Sequence, residues 1–136
     1  MVADELLKNA AESIFDLIIL PGGVSCVERL QKSRILKKLL KEQVSSGRQY
    51  ATCSSPSILH KQGLLKNKKA TAHPSVVSML DSNTIVGSQV VVDGRLITCR
   101  GLSSSPDFAL AIIAKFCGHG RAKSVATGLV FEYRAS

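Results

Sequence analysis

Residues 15–23, FDLIILPGG, constrain the fold more than any other stretch. The apolar run LIIL is too short for a helix, and Pro21-Gly22-Gly23 stops it at once. A short, near-continuous apolar run bounded by breakers reads as a strand buried on both faces, as in a parallel sheet. A parallel strand needs a crossover to its neighbour, and the next segment supplies one. In CVERLQKSRILKKLLKEQVSS (26–46), Val27, Leu30, Ile35, Leu36, Leu39, Leu40 and Val44 line one side and lysines the other, which predicts one helix ended by Gly47.

The alternation continues. RQYAT (48–52) reads as a second strand, and Ser55-Pro56 as N-cap and first residue of a helix over SILHKQ, closed by Gly63. KKATA (68–72) reads as a third strand broken by His73-Pro74, and residues 75–81 as one helical turn. VVV-DG-RLIT reads as a hairpin with Asp93-Gly94 in a type I′ turn. Ser105, Pro106 and Asp107 start a helix whose apolar face includes Phe108, Leu110, Ala111, Ile112, Ala114 and Cys117. Before the first strand, VADELLKNAAES predicts a short helix with Leu6, Leu7 and Ala10 inward, and AKSVATGLVFEY a last amphipathic stretch. The whole reads as a doubly wound α/β domain, residues 1–136, with one antiparallel hairpin appended.

Ligands in such sheets sit beyond the carboxyl ends of the strands, which singles out PGG and CSSP. Cys53 stands where a strand meets a helix start, with small residues on both sides, Ala51-Thr52-Cys53-Ser54-Ser55. That is the setting of a nucleophile elbow. A helix N-terminus favours a thiolate, and the N–H groups of Ser54, Gly22 and Gly23 form a candidate oxyanion donor set. The other reading of Cys53 is a small buried hydrophobe. His73, also at a strand end, is either a base or a structural histidine. His60 reads as helix surface and His119 as loop. Cys117 reads as core, Cys99 beside Arg100 as core or ligand, and Cys26 after PGG as inert or redox-active.

The net charge of +8 invites an anionic partner, but the lysines fall on helix faces and read as solvated surface. Aromatic residues make up 4% of the chain and tryptophan is absent, which argues against a base-stacking platform and against a nucleic-acid partner. No apolar run approaches the ~20 residues of a membrane span. The four cysteines form no CxxC pair and no zinc spacing with the histidines. Reduced thiols in a reducing compartment are expected.

FDLIILPGG, YATCSSP, ATAHPS and DGRLITCRGLSSSPDFALAII together resemble the ThiJ/PfpI superfamily, most of all its DJ-one branch of parkinsonism-associated deglycase-like proteins, including plant members. The resemblance runs through nearly the whole chain in order. It implies a flavodoxin-like sandwich, a homodimer, and an oxidation-sensitive nucleophile at Cys53. It also implies His73 as the family's histidine and Gly23 and Ser54 as oxyanion donors. The implied activities are cofactor-independent glyoxalase action on small aldehydes such as methylglyoxal, deglycation, chaperoning and redox sensing. Two departures stand out. The elbow reads C-S-S-P where the family has C-A-G-P, so Ser55 replaces a glycine. The family's segment carrying a central strand and an acid that hydrogen-bonds the cysteine precedes the part matched by VADELLKNAAES, and Glu5 and Glu12 fall in the wrong segment to replace it. A partial domain, N-terminally truncated, is therefore expected: an enzyme, a redox-responsive protein, or an inactive fragment of a longer tandem protein.

Overall fold

In a computed structural model, residues 2–53, 55–80 and 83–135 are described. The strands are β1 (Leu17–Leu20), β2 (Gln49–Thr52), β3 (Val90–Asp93) and β4 (Leu96–Cys99). They form one sheet in the order β1-β2-β4-β3. β1, β2 and β4 run parallel, and β3 returns antiparallel to β4 as the appended hairpin. The helices are α1 (Leu7–Ala10), α2 (Val24–Lys32), α3 (Arg34–Ser45), α4 (Pro56–Lys61), α5 (Ser105–Cys117) and α6 (His119–Gly128).

The strands' period-2 alternation divides the core. Leu20, Tyr50 and Leu96 face a cluster with Leu36 and Leu40 of α3 and Ile58 and Leu59 of α4. Ala51, Ile97 and Cys99 face the other side, against Phe108 and Ala111 of α5. Both faces are covered, as a doubly wound sheet requires. Buried Gln43 ties α3 to the strand starts: its amide donates to the carbonyls of Phe15 and Gln49 at 3.0 and 2.8 Å. β1 pairs with β2 alone among the described residues, and its Ile19 is 47% exposed.

Several expectations need correction. The helix over 26–46 is two helices, because Ser33 takes an extended conformation (ψ 112°) and its hydroxyl accepts from the Leu36 N–H, capping a fresh start. The lysines Lys37, Lys38 and Lys41 are exposed as expected, but so is Ile35 at 43%. KKATA is no strand: only Ala70 bridges, to Thr84. Side chains take neighbouring backbone donors, the Lys69 N–H going to Asp93 Oδ2 and the Thr71 N–H to Thr98 Oγ1. The helix over 2–13 shrinks to Leu7–Ala10, with Leu6 61% exposed. The hairpin shifts by one residue. Asp93 pairs with Leu96, so Gly94-Arg95 is the loop, and only Gly94 has positive φ, which excludes type I′. The turn over 75–81 is a 3-10 turn, Val77–Met79, and Asp81 lies outside the described residues. The α5 helix starts at Ser105 itself, with Ser104 before it making no side-chain cap. Cys117 is exposed, not core, because the buried face of α5 stops short of the last turn. His119 opens α6 and pairs with the Tyr133 hydroxyl instead of lying in a loop.

Candidate active site

Cys53 follows β2 directly, and its N–H continues the ladder to Leu20 O at 3.2 Å. The chain then turns into α4 with Pro56 in its first turn. Ser55 is fully buried and holds the N-cap position before Pro56 as expected, but its side chain makes no capping hydrogen bond. Its hydroxyl donates to Pro21 O at 2.7 Å. Having one proton, it accepts from Thr52 Oγ1, 2.8 Å away. Ser55 thus latches the PGG loop to the turn after β2. Its φ of −127° makes no demand for glycine. The α4 helix is only six residues long, so its dipole is weaker than a full helix would supply.

Gly23, at φ +103°, precedes the first residue of α2, a conformation that favours glycine. Gly22 lies half-buried beside it. Ser54, the other expected oxyanion donor, lies outside the described residues. Gly23 and His73 share a cavity of about 420 Å³ with Val27, Glu28, Ser57 and Val76. Cys53 is not among the described residues lining it. A second cavity, about 480 Å³, joins His73 to Arg100 and Gly101. The His73 Nδ1 accepts from the Ser75 N–H at 3.2 Å and contacts Ser75 Oγ at 2.8 Å. With Nδ1 an acceptor, the neutral ring carries its proton on Nε2.

Glu28 escaped the sequence reading. It brings a carboxylate to the His73 cavity from the second turn of α2, a position marked only by its spacing from PGG. Glu5 instead accepts from the Leu6 N–H and the Asn9 amide, and Glu12 lines a hollow with Lys8 and Lys38. Cys26 lies half-buried in the first turn of α2, and His60 half-buried in α4. Among the described residues, no three His, Cys, Asp or Glu side chains gather as a metal site. No helix there is long and apolar enough to cross a membrane.

Cys99, at the end of β4, is fully buried, and its Sγ lies 3.1 Å from Cys53 Sγ. Burial, then the hydrogen bond to Cys53, pushes the Cys99 thiol well above its ordinary range. Burial, then the charge of Asp93, also raises Tyr50. The folded chain keeps both protons where the unfolded chain releases them. The unfolded state then binds fewer protons, so stability falls as pH rises. The loss begins above the unfolded thiol's ~8.5, with Tyr50 adding from about 10. Urea unfolding from pH 7 to 10 is expected to show this decline, flatter in Cys99→Ser by up to about 1.4 kcal/mol per pH unit. Equal slopes in both proteins would refute it.

Comparison with known proteins agrees with this architecture. A model of the DJ-1/PfpI family matches residues 1–115. Protein DJ-1 homolog B of Arabidopsis thaliana is 46% identical over 120 residues, which cover 87% of this chain but only 27% of that protein. The chain therefore spans about a quarter of that relative's length. A Caenorhabditis elegans relative named glutathione-independent glyoxalase DJR-1.2 is 31% identical over 92% of this chain and 68% of its own. The crystal structure of Drosophila melanogaster DJ-1beta superposes with a TM-score of 0.92 at 32% identity, covering 98% of this chain and 73% of that one. Sheet order, helix placement and sequence agree: the fold is flavodoxin-like α/β, and the chain belongs to the DJ-1/PfpI family.

Proposed function

We propose that this chain carries a cysteine-dependent site that converts a small 2-oxoaldehyde, of the methylglyoxal class, to the 2-hydroxy acid without a cofactor. The observation that carries the reading is Cys53 at the β2–α4 junction, held by the Ser55 latch beside the loop of Gly22 and Gly23. A relative named for glutathione-independent glyoxalase action supports it.

The Cys53 thiolate would add to the aldehyde carbon, forming a C–S bond and an alkoxide that takes a proton. The proton on that carbon then moves to the neighbouring carbonyl carbon through an enediol, leaving a thioester of the hydroxy acid. Water cleaves the thioester, releases the acid and restores the thiol. The N–H groups of Gly22, Gly23 and Ser54 would stabilise the oxyanion. His73, with its proton on Nε2, would donate to a carbonyl oxygen, and the Glu28 carboxylate, in the same cavity, would relay the proton. Arg100, across His73 in the second cavity, would attract the product carboxylate. A reducing compartment, cytoplasmic or chloroplast, suits a nucleophilic thiol.

The test is incubation with methylglyoxal and no glutathione, with lactate assayed enzymatically. Saturable lactate formation is expected. A stable adduct on Cys53 with no lactate would reject the enzyme reading.

A further inference from the structure

β2 and β4 are adjacent parallel strands in the register Ala51↔Ile97, Thr52↔Thr98. The next step along both strands sets Cys53 opposite Cys99. Both side chains fall on the α5 face of the sheet, with Ala51 and Ile97 two residues before them. Adjacent strands lie about 4.8 Å apart, inside the 4.4–6.8 Å Cα range that a disulfide spans. The two sulfurs are already 3.1 Å apart, with the Cys99 S–H directed at Cys53. A further approach of roughly 1 Å reaches the bonded distance of about 2.05 Å. Burial distinguishes the two thiols. Cys99 is 0% exposed, whereas Cys53 is half-buried and open to a small reagent.

We propose that Cys53 and Cys99 form a reversible dithiol–disulfide site that reduces hydroperoxides, with Cys53 the attacking sulfur and Cys99 the resolving one. The proposal rests on the reading of Cys53 as a nucleophile. In the first step Cys53 sulfur attacks a peroxide oxygen. An S–O bond forms, the O–O bond breaks, and alcohol or water leaves with a proton. The sulfur has lost two electrons and is a sulfenic acid. In the second step Cys99 sulfur attacks Cys53 sulfur. The S–S bond forms, the S–O bond breaks, and the hydroxyl leaves as water with the Cys99 proton. An external dithiol then reduces the bridge by exchange. The sum is hydroperoxide and dithiol giving alcohol, water and the oxidised dithiol. The bridge also withdraws Cys53 from aldehyde chemistry and shields it from irreversible oxidation to sulfinic acid.

The test treats the whole chain with one equivalent of hydrogen peroxide, alkylates remaining thiols in urea, and maps non-reduced peptides by mass. A linked pair holding Cys53 and Cys99, two hydrogens lighter than its parts and released by dithiothreitol, is expected. Cys99→Ser, given a further two equivalents of peroxide, is expected to gain two oxygens on Cys53 as a sulfinic acid that dithiothreitol does not reverse, where the unaltered chain at the same dose keeps the reducible bridge. Oxygen on Cys53 of the unaltered chain, with Cys99 still alkylatable, would overturn this inference and leave the nucleophile reading standing. A Cys53 inert to both peroxide and iodoacetamide would overturn both. A glutathione redox titration of the unaltered chain reads the same bridge without any variant. Failure to form it at the oxidising end would equally overturn the proposal.

Discussion

Cys53→Ala is expected to reduce lactate formation from methylglyoxal to the uncatalysed background, with no loss of fold. Alanine fills the half-buried position without adding volume, and the backbone bond from residue 53 to Leu20 O does not depend on the side chain. What disappears is the sulfur that the proposed mechanism uses to form its covalent intermediate, and no neighbouring group is placed to replace it. Cys99 is adjacent but fully buried and strongly held as a neutral thiol. His73→Ala is expected to do less, because a positioned acid or base contributes roughly 10²–10⁴-fold. Circular dichroism and urea midpoints of the two variants should match the parent. Retained turnover in Cys53→Ala, with parental folding, would remove Cys53 from the mechanism.

Ser55→Ala is expected to lower unfolding free energy by about 1–3 kcal/mol, the cost of leaving buried polar groups unpaired. The Ser55 hydroxyl serves Pro21 O and Thr52 Oγ1, and the Thr52 side chain is itself fully buried. Alanine leaves Thr52 Oγ1 without this partner and unties the PGG loop, so turnover should fall along with stability. Ser45→Ala is the control. Its hydroxyl donates to Glu42 O at 3.2 Å on an exposed surface, where substitutions stay within about 0.5 kcal/mol. Urea titration of both variants checks the contrast. Equal small effects would mean that Ser55 merely occupies its niche.

The elements carrying the strongest local signals were legible in the sequence. LIIL before PGG, YAT before Cys53, and VVV and LIT around Gly94 all became strands. Gly23 needs its positive φ, and Pro56 starts its helix. What was not legible depends on partners far along the chain. Lysines and leucines run through residues 26–46 at one helical period, so the capping role of Ser33 is hidden by the pattern around it. KKATA has strand composition, but Asp93 and Thr98 side chains satisfy backbone N–H groups there from another element. Cys117 keeps the apolar period of α5 after the sheet contact has ended. Ser55 occupies the N-cap position read for it, yet its hydroxyl turns to Pro21 instead of to the helix. The Cys53–Cys99 contact follows from β2 and β4 being neighbours in register, and strand order is a tertiary property that spacing does not encode.

The measurement that goes most directly to the role of Cys53 is a comparison of iodoacetamide alkylation rates at Cys53 and Cys117 at pH 7, by peptide mass, in folded and urea-unfolded chain. Cys117 is exposed and Cys53 half-buried, so access alone makes Cys53 the slower. A Cys53 that reacts faster than Cys117 when folded, with the difference erased by urea, is the outcome expected of a thiol set up for attack by the β2–α4 junction. A folded Cys53 slower than Cys117 would show a thiol governed by burial alone, and would contradict the assignment of Cys53 as the nucleophile.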